Sequence, residues 1–271
     1  MNTENPSNHL PDTKLIERKK HAPQALNGMH MTDLRNAWTG ASALLFDLDG
    51  VLTPTAVVHE QAWQELFDGY LARTGHPQGY QESDYFDHID GKPRFDGVRD
   101  FLASRGITLP EGPVHDHPDN VTVQGLGNRK NAIFNEIVNS RGVEPFEGSV
   151  KFINAAVELG LKVAVVSSSR NAPAVLKAAG LDHHFEVVVD GQVAAGVGLP
   201  GKPDPATYVY GAGLLGVPVE ECIVVEDAVS GVQAGAGADF YAVIGVDRGA
   251  GRQTLLDAGA TLVVDDLNDL L

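Results

Sequence analysis

Short apolar runs that end in polar turns recur along the sequence, and they constrain the fold more than any other feature. We interpret the runs at residues 43–46, 162–166, 223–225, 241–244 and 262–264 as strands. Segments typical of helices precede the later runs, at residues 150–159, 172–179, 205–215 and 230–236. Continuous apolar strands that alternate with helices predict an α/β fold, in which helices cover both faces of a parallel sheet.

The long stretch between the first two predicted strands indicates a second, helical unit. Apolar side chains at helical spacing follow the first strand. They are Val58, Trp63, Leu66, Phe67, Tyr70 and Leu71. We expect further helices near Phe101 and Phe134, and an irregular loop at residues 108–119.

The chain therefore divides into three parts. We expect a catalytic core from residues 41–56 and 146–271, and a helical cap from residues 57–145. Residues 1–40 are polar and contain prolines, which is typical of an extension outside the packed domain. Leu34 and Trp38 could begin a docking segment within it.

Charge and composition exclude several kinds of partner. A net charge of −16 opposes binding to the nucleic-acid backbone, and we expect the basic run at residues 18–21 to be a solvated surface. No apolar run approaches the roughly 20 residues that cross a bilayer, and residues 1–9 lack the apolar centre of a signal peptide. Cys222 has no partner in the chain and lies in an apolar run, so we expect a core residue. These features favour a cytoplasmic protein, and we take it to be a monomer.

Two carboxylates follow the first predicted strand. Asp47 and Asp49 are two residues apart, so in extended backbone both side chains would point out of the same edge of the sheet. Asp47 could attack a phosphate held by magnesium, and Asp49 could exchange protons with the leaving and accepting alcohols. The same spacing is also common in ordinary solvated turns.

Polar residues near the ends of the other predicted strands favour a functional site over an ordinary turn at Asp47 and Asp49. Glu226 and Asp227 follow one strand, Ser167 follows another, and Lys202 precedes a helix. Serine alone is typical of a helix cap and lysine of a surface, but the carboxyl ends of parallel strands meet at one edge. Carboxylates, together with the main-chain carbonyl of Asp49, would suit octahedral Mg²⁺.

Four motifs built on these residues resemble those of the haloacid dehalogenase superfamily. They are Asp47 to Val51, Ser167 to Ser169, Gly201 to Pro203, and Glu226 with Asp227. Residues 41–271 are most similar to its β-phosphoglucomutase-like branch. The resemblance implies a Rossmann-like three-layer α/β/α core with an inserted helical cap, and Mg²⁺ as cofactor.

The resemblance also implies roles for these residues. Asp47 would be the nucleophile and Asp49 the general acid and base, and both would contact the metal together with Glu226 and Asp227. Ser167 and Lys202 would bind the transferring phosphate.

The resemblance extends to the cap. Thr55, His59, Trp63 and Arg94 match positions that orient the proton-transfer group or bind the substrate's distal phosphate, and a guanidinium suits that second role. A lone histidine on an apolar helix is equally typical of simple packing. The other histidines show no ligand spacing.

The residues after Ser167 match phosphate contacts of the same family. Arg170 and Asn171 match a phosphate-contacting pair, and Ser168 belongs to the predicted phosphate ligands. This chain departs from the family pattern at Pro54, where an acidic residue is usual, and at Arg170, where lysine is common.

The cap also differs from the family pattern, because it carries an insertion at about residues 110–131. Residues 125–131 fit either cationic contacts to a sugar phosphate or the start of a helix.

These features favour an enzyme that acts on a small phosphorylated sugar. The leading hypothesis is a mutase that moves phosphate between C1 and C6 of β-glucose phosphate through a bisphosphate. The alternative is a phosphatase that admits water to the aspartyl phosphate. A third hypothesis, a non-catalytic binding module, predicts the loss of Asp47, Asp49, Lys202 or Asp227, and the chain retains all four.

Overall fold

The computed structural model describes residues 40–76 and 78–271. The rest of the predicted extension, including the basic run at residues 18–21 and the docking segment at Leu34 and Trp38, lies outside the described residues.

A parallel sheet forms the centre of the structure. Its strands are β1 Ala43–Phe46, β2 Lys162–Val166, β3 Val187–Val189, β4 Cys222–Glu226, β5 Ala242–Val246 and β6 Leu262–Val264. The strand order is β3-β2-β1-β4-β5-β6, and every neighbouring pair is parallel. β1 is therefore central, and the edge where it ends is flanked by β2 and β4. Cys222 is buried at the start of β4, as its apolar run predicts.

Helices surround this sheet and extend beyond it. In the described part of the chain they are α1 Thr55–Thr74, α2 Glu82–Asp84, α3 Arg94–Ser104, α4 Val123–Arg141, α5 Glu147–Glu158, α6 Ala172–Ala178, α7 Gly191–Gly196, α8 Ala206–Leu215, α9 Val229–Ala236 and α10 Arg252–Asp257. A π-helical turn, Tyr85–Ile89, continues α2. None of the helices in this part of the chain is long and apolar enough to cross a membrane. The cytoplasmic location stays a prediction.

Two apolar clusters fill the space between sheet and helices. Successive side chains of a strand point to opposite faces. Leu44 and Phe46 accordingly pack in one cluster, while Ala43 and Leu45 pack in the other. Helices α5 and α6 cover the first face, and α8, α9 and α10 cover the second. The predicted three-layer α/β/α core is confirmed.

The structure adds elements that the sequence pattern did not reveal. We did not predict β3, the strand at the β2 end of the sheet, although it is as long as β6, which we did predict. The helices α7 and α10 were also missed, and each has six residues. The predicted core helices are confirmed with small shifts at their ends.

The helices between β1 and β2 have an apolar core of their own. Trp63, Leu66 and Phe67 of α1 pack there with Phe101 of α3 and Leu126 of α4. The predicted apolar stripe and the further helices are thus confirmed, and residues 108–119 lie outside any helix, as expected. We call this unit the cap; its boundaries at residues 57 and 145 stay a prediction.

Candidate active site

The predicted catalytic groups lie together at the carboxyl ends of the central strands. The register pairs Phe46 with Val225, so Asp47 follows β1 beside the last residue of β4. The Asp47 N–H donates to the Val225 carbonyl at 2.9 Å, and the Ser167 N–H donates to the Val189 carbonyl at 2.9 Å. These backbone bonds continue the ladder past the strands, so the sheet itself fixes where both residues begin.

Lys202 joins two of these strand ends. Its Nζ lies 2.6 Å from Asp47 Oδ1 and 2.6 Å from Glu226 Oε1, and it donates to the Val166 carbonyl at 3.0 Å. Burial alone would lower the pKa of Lys202, but the two carboxylates outweigh burial and raise that pKa. The lysine is therefore a fixed positive charge against the proposed nucleophile.

Glu226 is held by several donors. Its carboxylate accepts from Lys202, from the Tyr208 hydroxyl at 2.8 Å, and from the N–H groups of Asp227 and Ala228 at 3.0 and 3.2 Å. A Cβ atom at Gly231 would lie 1.8 Å from Glu226 Oε1, so only glycine leaves room for this carboxylate. The arrangement positions Lys202, and a role of Glu226 near a metal stays a prediction.

An acidic cluster at the same edge could hold a cation. Oxygen atoms of Asp47, Glu226 and Asp227 all lie within 4.8 Å of one another. Burial raises the pKa of Asp47 and of Asp227, and in both cases neighbouring carboxylates raise it further. Gly50 makes this approach possible, because a Cβ there would lie 1.8 Å from Asp227 Oδ2. Three carboxylates whose negative charge Lys202 offsets only in part are hard oxygen donors that fit Mg²⁺.

Asp49 lies on the cap side of Asp47. Its Oδ1 accepts from the Thr55 hydroxyl and is 3.4 Å from His59 Nε2, and its Oδ2 accepts from the Ser167 hydroxyl at 3.4 Å. Burial would raise the pKa of Asp49, but His59, Thr55 and Lys130 outweigh it and lower that pKa. Asp49 is thus held as a carboxylate that can accept a proton. Both predicted partners, Thr55 and His59, are brought to it.

His59 combines the two roles that the sequence left open. Its ring stacks on Phe134 with centroids 4.1 Å apart, as expected of a packed histidine, and its Nε2 faces Asp49. Its Nδ1 contacts Lys130 Nζ. Burial and Lys130 lower the pKa of His59, although Asp49 opposes this.

Lys130 is a buried lysine of the cap that sequence reasoning named only as part of a segment. It belongs to α4, is 2% exposed, and lies 5.1 Å from the centre of the Trp63 ring. Burial and then Arg94 place its pKa well below the usual range. A signal was present, because Lys130 falls four residues before Phe134 on the buried stripe of a helix. Residues 125–131 lie within α4, which begins at Val123, two residues before the segment where we expected a helix to start; cationic contacts of this segment to a sugar phosphate stay a prediction.

Arg94 and Arg170 approach each other from opposite sides of the site. Their guanidinium carbons lie 5.8 and 5.4 Å from the centre of the Phe95 ring. Arg94 donates to Asn131 Oδ1 at 2.7 Å, and Asn171 donates to the same oxygen at 2.8 Å. Burial, and then the positive charge of Arg170, lower the pKa of Arg94 to about 10.

Ser168 lines the cavity of the site and also joins the core to the cap. Its hydroxyl donates to the Gly91 carbonyl of the cap at 2.7 Å, and Ser230 similarly donates to the Asp90 carbonyl at 2.9 Å. The proton of the Ser168 hydroxyl thus serves to join core and cap. Its contact with phosphate stays a prediction.

One cavity connects these groups. Its walls come from both the carboxyl edge of the sheet and the cap. Asp47, Asp49 and Ser167 line its core side, while Trp63 and Arg94 line its cap side. The arrangement can hold an anion between a carboxylate nucleophile and a set of cations.

Comparison with known proteins supports this interpretation of the site. The model of the haloacid dehalogenase-like hydrolase family matches residues 41–239. A β-phosphoglucomutase of Mycobacterium bovis is 43% identical, over 84% of this chain and 91% of that protein. A phosphorylated carbohydrates phosphatase of Thermotoga maritima is 28% identical, over 82% of this chain and 93% of that protein.

A solved structure shows the same fold. The β-phosphoglucomutase of Clostridium difficile superposes with a TM-score of 0.68 at 24% identity, over 85% of this chain and 93% of that one. With the family match and the site in agreement, the chain belongs to the haloacid dehalogenase-like hydrolases.

Proposed function

We propose that this protein is a magnesium-dependent phosphoryl-transfer enzyme that carries the phosphoryl group on Asp47. The family and the named relatives support phosphotransferase or phosphatase activity in general. The observation that carries the finer proposal is the convergence of Asp47, Lys202 and Asp227, which come from separate parts of the chain. An acceptor carboxylate, a fixed cation and a metal-binding carboxylate are the groups that this reaction requires.

Each step follows from the position of a side chain. Asp47 attacks phosphorus, and the P–O bond to the departing alcohol breaks as the P–O bond to Asp47 forms. Lys202 offsets the charge that builds on the carboxylate and the phosphoryl oxygens. Asp47, Asp227 and the Asp49 carbonyl would hold Mg²⁺, which supplies further neutralisation at the phosphate.

Asp49 handles the protons, and Thr55 and His59 fix its orientation. Its carboxylate takes the proton from the acceptor hydroxyl that attacks the aspartyl phosphate. The protonated form returns a proton to the leaving alcohol in the opposite step. Ser167 contacts Asp49 and lies where its hydroxyl can bind the phosphoryl group.

We infer that the substrate is β-glucose 1-phosphate, converted to glucose 6-phosphate through the 1,6-bisphosphate. A bisphosphate needs a second anion site away from Asp47. The guanidinium groups of Arg94 and Arg170 provide cations for it across the cavity, and Lys130 lines the same cavity. The name of the mycobacterial relative agrees with this substrate.

A single incubation tests the proposal. The protein is given β-glucose 1-phosphate, Mg²⁺ and a trace of the bisphosphate, and both glucose 6-phosphate and free phosphate are measured. Glucose 6-phosphate without stoichiometric phosphate supports the mutase. EDTA should abolish the reaction and excess Mg²⁺ restore it. Full activity in EDTA would contradict the metal requirement.

A phosphatase is the second candidate, and the Thermotoga relative favours it. Its first step is identical, but water attacks the aspartyl phosphate in place of a sugar hydroxyl. Release of phosphate in proportion to substrate consumed would identify this activity. A non-catalytic binding module predicts no turnover of any phosphorylated sugar, and the convergence of Asp47, Lys202 and Asp227 argues against it.

A further inference from the structure

Asn131 lies at the junction of three elements and has no role in the mechanism above. Its Oδ1 accepts from Arg94 Nη2 at 2.7 Å and from Asn171 Nδ2 at 2.8 Å. Arg94 begins α3 of the cap, Asn131 belongs to α4 of the cap, and Asn171 precedes α6 of the core. The bond between Asn131 and Asn171 therefore crosses from cap to core.

The chemistry of the two donors identifies the atom between them. A guanidinium has donors only, and the amide nitrogen of Asn171 is also a donor. Both require an acceptor, so the Asn131 side chain must present its oxygen here. One uncharged oxygen thus occupies the point on which two proposed phosphate-binding groups converge.

A phosphate oxygen would satisfy the same donors. Hydrogen bonds from a guanidinium to an anionic oxygen are about twice as strong as bonds between neutral groups. Exchange of the amide oxygen for a phosphate oxygen is therefore favourable, provided that the group being displaced is uncharged. A carboxylate at position 131 would instead compete with the phosphate for Arg94.

Two other contacts between cap and core leave Arg94 untouched. Ser168 donates to the Gly91 carbonyl, and Ser230 donates to the Asp90 carbonyl. The link through Asn131 differs from them because it uses groups that the substrate would also use. A substrate that takes Arg94 and Asn171 thereby replaces a bond between cap and core with its own phosphate.

We propose that Asn131 is a positioning residue that stands in for an oxygen of the substrate's second phosphate. In the ligand-free protein it holds Arg94 and Asn171 in their binding arrangement and keeps the cap against the core. The second phosphate displaces it, so the cap stays closed both before and after this phosphate binds. The inference rests on the proposed function for the identity of the displaced group.

The test compares two substitutions of Asn131 with a matched control. Asn131→Ala removes the oxygen, whereas Asn131→Asp keeps the shape and adds a charge. Asn135→Asp adds the same charge to an exposed position one turn further along α4. Each variant is measured for KM, kcat and, without any ligand, amide hydrogen exchange of residues 90–92.

Asn131→Asp is expected to raise KM for the sugar phosphate by about tenfold or more, because the added carboxylate opposes the phosphate. Its ligand-free exchange should stay as slow as in the unaltered protein, because Asn171 of the core can donate to the new carboxylate as it does to the amide oxygen. Asn131→Ala should accelerate exchange of residues 90–92 by about tenfold, since one link between cap and core is lost. Asn135→Asp should change neither quantity.

Equal KM values for Asn131→Asp and Asn135→Asp would overturn the displacement by phosphate. Unchanged exchange in Asn131→Ala would overturn the closing role. If Asn131→Ala fails to fold, the isosteric Asn131→Asp decides through its KM. If the unaltered protein turns over no sugar phosphate, the proposed function fails, and the exchange measurement still tests the link between cap and core.

Discussion

The two walls of the cavity, the carboxyl edge of the sheet and the cap, are built in different ways. On the sheet side, Asp47 and Ser167 directly follow strands, and Glu226 ends one. Their positions follow from the register of neighbouring strands. On the cap side, Arg94 and Lys130 come from two different helices, and their positions depend on how those helices pack.

The bonding partners differ in the same way. Lys202 is bound to two carboxylates and a backbone carbonyl, all from the core. Arg94 instead binds Asn131, another cap residue, which in turn binds the core. The comparison supports our proposal that the core holds the groups that make and break bonds, whereas the cap mainly holds groups that recognise the remainder of the substrate. Changes in the core should therefore lower kcat, and changes in the cap should mainly raise KM.

Lys202→Met should have the largest effect. It removes the cation that offsets charge on Asp47 and leaves Glu226 buried without it, so we expect kcat to fall by about a thousandfold or more. The loss of one partner from a buried ion pair should also lower the free energy of unfolding by about 3 kcal/mol. Steady-state kinetics and urea denaturation measure the two effects. Lys177→Met, at an exposed position of α6, is the control and should change neither.

Arg94→Gln should test the cap side most sharply. We expect kcat/KM for the sugar phosphate to fall by about a hundredfold, mainly through KM, because the half-buried cation that we propose for the distal phosphate is lost. Phosphorylation of Asp47 by a small acyl phosphate, which has no second phosphate, should be little changed. An equal loss of rate with the sugar phosphate and with the acyl phosphate would show that the division between core and cap is wrong. Arg99→Gln, at an exposed position of α3, is the matched control.

Two helical glycines allow the same comparison through sterics alone. Alanine at Gly231 would place Cβ 1.8 Å from Glu226 Oε1, whereas alanine at Gly127 would place it 2.5 Å from the Phe95 ring. Gly231→Ala should displace Glu226 and Lys202 and lower kcat by about tenfold. Gly127→Ala should move Phe95 away from the two arginines and raise KM by about fivefold. The reverse assignment of kcat and KM effects would contradict the account.

Gly213→Ala provides the smallest expected effect and a baseline for these substitutions. Gly213 lies in α8, and a Cβ there would meet nothing within 4 Å. We expect unchanged kinetics and a gain of about 0.5 to 1 kcal/mol in the free energy of unfolding, because alanine favours a helix. A thermal denaturation series with all three glycine variants checks this. A loss of activity in Gly213→Ala would mean that the other two effects are not specific to their sites.

The same difference explains what the sequence could predict. Asp47, Ser167 and Glu226 could be placed together because parallel strands end at one edge, and that edge was visible as apolar runs followed by polar residues. Lys202 has no strand of its own, and its place in the site was implied by the family resemblance. The strand β3 was missed although, like β6, it is an apolar triplet followed by an aspartate.

The cap was harder to predict because tertiary packing places its functional groups. Lys130 lies on a buried stripe of α4, yet the sequence around it does not show that this stripe packs against His59 of α1. The proposed role of Asn131 depends on its contact with Asn171, which lies forty residues further along the chain. The hydrogen bond from Ser168 to the Gly91 carbonyl likewise could not be predicted without knowing how the cap packs on the core.

Phosphorylation of Asp47 is the most direct test of the central claim, that the sheet edge makes this carboxylate the phosphoryl acceptor. The protein is mixed with Mg²⁺ and the sugar bisphosphate, quenched in acid within one turnover, and mapped by peptide mass spectrometry. The account predicts phosphate on the peptide that contains Asp47, and neither phosphate nor turnover in Asp47→Asn. Phosphate on another residue, or undiminished turnover in Asp47→Asn, would contradict it.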